Sequence, residues 1–240
     1  MTAADTISSW IAEQVRRAGA EGAVIGLSGG VDSSLTAVLS KRALGDGVLG
    51  LHMPCHSNPQ DMAHARLVAE AFHIQTELVD LTPVFDAFLT VLPEGDRIAQ
   101  ANLKARLRMA TLYYHANLYN YLVVGTSNRS ELAVGYFTKY GDGSADILPL
   151  GGLLKSQVRE LACELGLPQP IIEKPPSGGL WPGQTDEGEM GITYREIDEV
   201  LQAVEAGEAP RVPADTLAKV QRMTDHSAHK RAMSPICPLP

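Results

Sequence analysis

The chain of 240 residues has only three cysteines, Cys55, Cys163 and Cys237, widely spaced and with no CxxC pair. That excludes a disulfide scaffold and a cysteine-based zinc site, and it fits a reducing, cytoplasmic setting. No run of 18 apolar residues occurs, so no membrane-spanning helix is expected. The opening residues MTAADTISSW lack the basic start and apolar centre of a leader peptide. Basic residues are in deficit: 20 Lys and Arg against 28 Asp and Glu give a net charge of -8. A surface built mainly for nucleic acid is therefore not expected, although a local basic pocket for a small anion is compatible with this balance. No internal repeat is visible. What the chain does have is 45% hydrophobic residues, enough for one large domain with a substantial core.

The most informative stretch is Ser28-Gly29-Gly30-Val31-Asp32-Ser33-Ser34. An apolar run, Ala23–Leu27, stands in front of it and reads as a buried strand. Good helix formers follow from Leu35 to about Leu44, with Leu35, Val38 and Leu39 on one face. A strand, a glycine turn and a helix place several backbone N–H groups at the positive end of a helix dipole, which suits a phosphate. Ser28, Ser33 and Ser34 add hydroxyl donors. Asp32 would repel a phosphate unless a divalent metal stood between them, as Mg²⁺ does when it takes a carboxylate and phosphate oxygens. A plain βα turn would also use glycine and serine here. No lysine follows the glycines, so the string is not the GxxxxGK[ST] loop.

Strands are expected at Ala23–Leu27, Val48–Met53, Thr76–Leu81, Tyr121–Gly125 and, cut short by Pro149, Ile147–Leu150. Helices are expected over 6–18, where Ile7, Trp10, Ile11 and Val15 pack on the sheet, and over 61–73, 97–118, 155–165, 194–206 and 213–225. The alternation predicts an α/β fold, a doubly wound five-stranded parallel sheet with helices on both faces. Ligands of such sheets bind beyond the C-terminal strand ends, where the glycine turn lies. One domain is expected, with a core over about 20–170, a mobile Pro/Gly-rich loop over 174–191, and C-terminal helices and tail over 194–240. In the helix over 97–118, Asn102 and Arg106 share one face and Lys104 and Arg108 another; from spacing alone these are solvated basic faces. His226 and His229, in a basic tail, read as solvent-exposed rather than metal-binding.

SGGVDSS resembles the pyrophosphate loop of the ATP-pyrophosphatase superfamily, a Rossmann-like group. Later segments narrow the resemblance. Asn102-Leu103-Lys104-Ala105-Arg106-Leu107-Arg108-Met109 resembles the NxKARxRM helix of NAD synthetases. Gly125-Thr126 with Glu131 is similar to their GTxxxxE segment, and Phe137–Gly143 with Ala145-Asp146 to their FTKYGDGxxD loop. Lys155, Pro176-Ser177, Asp186-Glu187, Gly191–Tyr194 and His229–Arg231 continue the match in order, so it runs from about residue 20 to 231.

The resemblance implies an ammonia-dependent ligase. Deamido-NAD, ATP and ammonia would give NAD, AMP and pyrophosphate through an acyl-adenylate. It assigns ATP, as co-substrate, to Gly26, Leu27, Ser28, Gly29, Gly30, Val31, Asp32, Ser33, Thr126, Lys155 and Ser177 (commonly threonine in the family). Catalytic roles fall to Asp32 and Lys155, and Mg²⁺ to Asp32 and Glu131. Deamido-NAD falls to Arg106, Phe137, Lys139, Asp146, His229 and Lys230, with Phe137 as a stacking surface. Asp142 or Asp146 is a candidate proton acceptor. A homodimer with the dinucleotide at its interface is implied too, although fewer residues precede the first strand than in many relatives. The glycine turn starts at residue 28, which leaves no room for a preceding glutaminase domain, so free ammonia or a separate glutaminase subunit would supply nitrogen. Two rival readings remain. Another adenylating enzyme of the same scaffold would bring a further dimerisation domain, or a basic RNA surface with a cysteine pair. An ATP-holding module without chemistry would have no need of both Asp32 and Glu131.

Overall fold

The computed structural model describes residues 2–181 and 183–238. β1 (Gly22–Gly26) lies inside a parallel sheet, between β2 (Val48–His52) and β4 (Tyr121–Val123), and β3 (Gln75–Leu78) extends the sheet beyond β2. β1 and β2 are almost wholly buried, as a strand covered on both faces requires. The register pairs Gly26 with Leu51 and Val24 with Val123, so the C-terminal strand ends open toward one rim.

The sheet has four strands rather than the expected five. Ile147–Leu150 contributes a single parallel bridge, Val124 to Ile147. The Ile147 carbonyl accepts from the Gly125 N–H at 2.9 Å, but Pro149 has no N–H to extend the ladder, and the chain turns as the Gly151 N–H reaches the Leu148 carbonyl.

α1 (Ala3–Ala18) begins earlier than the periodicity suggests, because Thr2 and Asp5 form a capping box. It packs against α2 (Val31–Leu44) through Ala4, Ile7 and Ile11, and Val15 is buried, while Trp10, expected to pack inward, is 41% exposed. α2 itself starts at Val31, not Leu35, so Asp32, Ser33 and Ser34 lie in its first turn. α3 (Pro59–Ala71) follows β2. α4 (Thr82–Val91) was not expected, although Pro83 at its start is a helix-opening signal. α5 (Arg97–Tyr119) is the longest helix and is capped by Asp96.

α6 (Arg129–Val134) is a further unexpected helix, opened by an Asn128/Glu131 capping box. Its C-terminal carbonyls, of Leu132 and Ala133, are capped by the Arg231 guanidinium, which also reaches Ser227 Oγ and the Thr224 carbonyl. α7 (Lys155–Glu164) and the short α8 (Gln169–Ile172) lead into the Pro/Gly-rich segment. That segment contains a short helix, α9 (Asp186–Met190), and is tied down in this structure. Lys174 pairs with Asp61 at 2.8 Å, Lys104 Nζ donates to the Leu180 carbonyl, and the Arg97 guanidinium sits 4.7 Å from the Trp181 ring centre. α10 (Tyr194–Ala206) and α11 (Ala214–His226) pack with α6 and α9 around Val134, Met190 and Ile197, and a 3₁₀ turn (Ala228–Lys230) follows α11. Among the described residues no helix is long and apolar enough to cross a membrane.

Gly29 fixes the glycine turn against α3. Its φ is +75°, and a Cβ there would lie 2.3 Å from the Asp61 carbonyl oxygen and 2.9 Å from the Ala65 nitrogen. Gly29→Ala is expected to destabilise the fold by at least the roughly 1–3 kcal/mol of a strained backbone. Urea unfolding measures this, and an unchanged midpoint would mean that the turn and α3 are not locked together.

Candidate active site

The turn after β1 is closed by its own serines. The Ser28 N–H donates to Ser33 Oγ at 3.2 Å, the two hydroxyls lie 2.9 Å apart, and Ser33 Oγ donates to the Gly30 carbonyl at 3.1 Å. Gly26, Leu27, Ser28, Gly30, Val31, Asp32 and Ser33 line a cavity of about 830 Å³ at the rim of the sheet. Gly29 faces α3 instead. The first turn of α2 thus presents its positive end to a cavity of a size suited to a small-molecule ligand.

At the back of the cavity stands a buried charge cluster. Lys155, the first residue of α7, is 2% exposed. Its ammonium lies 2.5 Å from Asp32 Oδ2 and 3.1 Å from Glu131 Oε1. Asn128 donates its side-chain amide to Asp32 Oδ1 at 2.9 Å, and its backbone N–H to Glu131 Oε2 at 3.3 Å. The backbone N–H of Lys155 is held by Ser130 Oγ, whose hydroxyl donates to Asp198. Asp186, from α9, completes the cluster: it accepts from the Tyr194 hydroxyl at 2.9 Å and lies 3.2 Å from that of Tyr136.

The energetics follow from burial. Removal from water pushes Glu131 up to about 7, against the pull of Lys155, and nearby Asp32 and Asp186 push in the same direction as burial. Asp186 is raised as well, mainly by burial. Burial alone would lower Lys155, but attraction to Asp32 and Glu131 more than reverses that, so it stays a cation. The Tyr194 hydroxyl carries one proton and lies within 3.2 Å of both Glu131 and Asp186. A proton on one of these acids lets the hydroxyl accept as well as donate, in keeping with their raised affinity for protons.

The remaining residues singled out from the sequence fall into two groups. Thr126, Ser177, Phe137 and Lys230 line the same cavity as the glycine turn. Ser177 Oγ accepts from the Gly179 N–H, and Lys230 donates to the Gly135 and Phe137 carbonyls while its ammonium sits 5.4 Å from the Phe137 ring centre. Arg106, Lys139, Asp146 and His229 are not among the lining residues. Arg106 donates to the Lys139 carbonyl and Lys139 to that of His229. Asp146 holds the Val123 N–H at 2.7 Å and the Tyr113 hydroxyl at 3.2 Å. His226 and His229 are exposed, as their basic surroundings suggest.

The expectation of solvated basic faces on α5 fails for Lys104 and Arg108. Lys104 is 8% exposed, with its ammonium 5.1 Å from the Phe85 ring centre, and burial lowers its proton affinity. Arg108 lines the cavity and donates to the Met53 carbonyl. For Arg108 the physical reason is that α5 forms a wall of the cavity, with Asn102, Ala105, Met109 and Leu112 lining it at helical spacing; Lys104 is covered instead by Phe85 and by Leu180, whose carbonyl it bonds. Sequence reasoning assigned no role to Asn128, Asp186, Tyr136 or Tyr194. The N-x-x-E spacing of Asn128 and Glu131 was a usable capping signal; Asp186 was marked only as part of the Asp186-Glu187 motif, without a role, and reaches the site through the path of the 174–191 segment.

The NAD synthase family model matches residues 3–234. The NH(3)-dependent NAD(+) synthetase of Methanocaldococcus jannaschii is 48% identical over 242 residues, covering 95% of this chain and 93% of the relative. Among solved structures, NMN synthetase from Francisella tularensis superposes with a TM-score of 0.91 at 40% identity, covering 99% of this chain and 98% of that one. NH3-dependent NAD synthetase from Campylobacter jejuni, in complex with the nitrate ion, gives a TM-score of 0.86 at 31% identity, covering 99% of this chain and all of that one (100%).

The raised affinity of Glu131 for a proton has a definite sign in stability. The folded state holds that proton more tightly than the unfolded chain does, so the stabilisation is fully present below the ordinary glutamate range and is lost as pH rises through about 7. Without divalent metal, wild type is expected to lose stability relative to Glu131→Gln between about pH 5 and about pH 8. A pH-independent difference in urea midpoints would contradict the burial argument.

Proposed function

The chain belongs to the NAD synthase family, and on that premise we propose that it amidates deamido-NAD to NAD with ATP and ammonia, releasing AMP and pyrophosphate. The observation that carries the reading is the meeting of the serine-rich glycine turn, Asp32, Glu131 and Lys155 at one cavity that also holds Phe137 and Lys230. The substrate carboxylate attacks the α-phosphorus of ATP, and the bond to the bridging oxygen breaks with its electrons leaving on pyrophosphate. Ammonia then adds to the acyl carbon of the adenylate, loses a proton, and expels AMP. The turn's N–H groups and hydroxyls hold the leaving pyrophosphate as its charge grows, and Thr126 and Ser177, which line the same cavity, are assigned to ATP. Lys155, kept cationic, is placed to neutralise phosphate charge.

Two carboxylates whose oxygens already converge on one cation are a donor set suited to Mg²⁺. Among the described residues no group of three or more His, Cys, Asp or Glu forms an all-protein metal cage. Asp32 and Glu131 would therefore hold Mg²⁺ together with phosphate oxygens. When bound, it supplies charge neutralisation at the phosphates. For the proton released by ammonia we favour Asp142, which lines the cavity, over Asp146, which is committed to Val123 and Tyr113.

The assembly we propose is a homodimer. α4 and α5 expose an apolar set that includes Val84, Phe88, Val91 (79% exposed), Leu92, Ile98, Tyr114 (67%) and Leu118. A second copy would cover such a surface, and a dinucleotide extending from the cavity toward the interface would meet Arg106, Lys139 and His229. Opening of the 174–191 segment would admit substrates. The buried, unpaired thiol of Cys55 and the free Cys163 and Cys237 suit a reducing cytoplasm.

Pyrophosphate release from ATP, Mg²⁺ and ammonium is expected to require deamido-NAD, with NAD formed in step. The Francisella tularensis chain named NMN synthetase gives a second reading, in which nicotinic acid mononucleotide is the acid amidated. Release driven by the mononucleotide and not the dinucleotide would replace the first reading. Replacing ammonium by glutamine reports whether a separate glutaminase is needed.

Light scattering should find a dimer for wild type and a monomer for Val91→Asp. A wild-type monomer at micromolar concentration would remove the assignment of the α4–α5 face.

A further inference from the structure

Asn128 is fully buried and touches both carboxylates that meet Lys155. Its side-chain oxygen accepts the Glu131 N–H at 3.0 Å as the N-cap of α6. That bond fixes the orientation of the amide, so its NH₂ group is the one turned to Asp32 Oδ1, at 2.9 Å. Its backbone N–H meets Glu131 Oε2. One oxygen of each carboxylate is thereby engaged, and the others, Asp32 Oδ2 and Glu131 Oε1, converge on the Lys155 ammonium.

We propose that Asn128 is a positioning residue for the cation site: it holds one oxygen of Asp32 and one of Glu131 and turns the other oxygen of each toward a common cation. The inference rests on the proposed role of Asp32 and Glu131 as Mg²⁺ ligands. An unheld Asp32 carboxylate could rotate about its terminal torsion, which is broad, and split the pair. Outer partners that orient ligating carboxylates in this way commonly change metal affinity by about 10–100-fold when removed. A serine at this position keeps an N-cap acceptor and the backbone N–H but is too short to reach Asp32. Asn128→Ser therefore separates the hold on Asp32 from the helix cap.

The test uses the full chain and α,β-methylene-ATP, bound by calorimetry with Mn²⁺ or with EDTA. In wild type, Mn²⁺ is expected to strengthen binding of the analogue. Asn128→Ser should lose about tenfold of that strengthening, with metal-free binding essentially unchanged and the fold retained at a lowered melting temperature. Full Mn²⁺ strengthening in Asn128→Ser, or an equal loss of metal-free binding, overturns the proposal. Should Asn128→Ser not fold, Asn128→Thr, which also keeps a cap hydroxyl but has no amide hydrogen to donate, takes the same readout, and failure of both to fold makes the bond to Asp32 a requirement of the fold rather than of the cation site and overturns the proposal. Asp32→Ala is the separate control. If Asp32→Ala keeps the full Mn²⁺ effect, the metal-ligand assignment itself fails, whatever Asn128 does.

Discussion

A buried ammonium between two carboxylates is the interaction on which the rest of the structure turns. Lys155 comes from the start of α7, Asp32 from the first turn of α2, and Glu131 from the first turn of α6. Each charge alone would be too costly to bury, and one cation against two anions leaves the cluster negative. The surplus is handled by hydrogen bonds from Asn128 and Tyr194 and by proton uptake at Glu131. Those partners in turn require the capping box of α6 and the packing of α9 and α10 beside it. The same arrangement suits chemistry in which negative phosphates arrive and leave, because a cation already held by two anions can be shared with a third.

The sequence carried the sheet and the glycine turn in local signals. Buried strands such as Gly22–Gly26 and Val48–His52 need no distant information, since each is a contiguous apolar run with a local stop, Gly29-Gly30 after the first and Pro54 after the second. Membership of the family was legible because its motifs recur in order along nearly the whole chain. Three things were not legible, each for a physical reason. The fifth strand shrank to one bridge because Pro149 interrupts its ladder. Arg108 left solvent because α5 is a cavity wall, and Lys104 because Phe85 and Leu180 cover it, facts of packing that helical spacing does not contain. Asp186 entered the cluster because the 174–191 segment folds back across the rim, and Tyr194 because α10 packs beside it; loop composition says nothing of either path.

The site residues divide in a way that the order of motifs could not reveal. Phe137 and Lys230 share the cavity with the glycine turn, whereas Arg106, Lys139 and His229 form a chain of side-chain-to-carbonyl bonds outside it. The residues that the resemblance assigns to the dinucleotide are thus split between the cavity and a surface outside it.

The bond from Arg231 to the end of α6 bears on how the molecule is made. The helix that carries Glu131 is closed at its start by a neighbour, Asn128, and at its end by a residue synthesised almost a hundred positions later. Lys155 meets Asp32 across a similarly long loop of chain. Contacts so distant in sequence form late, after the local helices and the β1–β2 pair. On the ribosome, the glycine turn can fold long before the charge cluster behind it, and α6 gains the cap on its last carbonyls only after Arg231 has emerged.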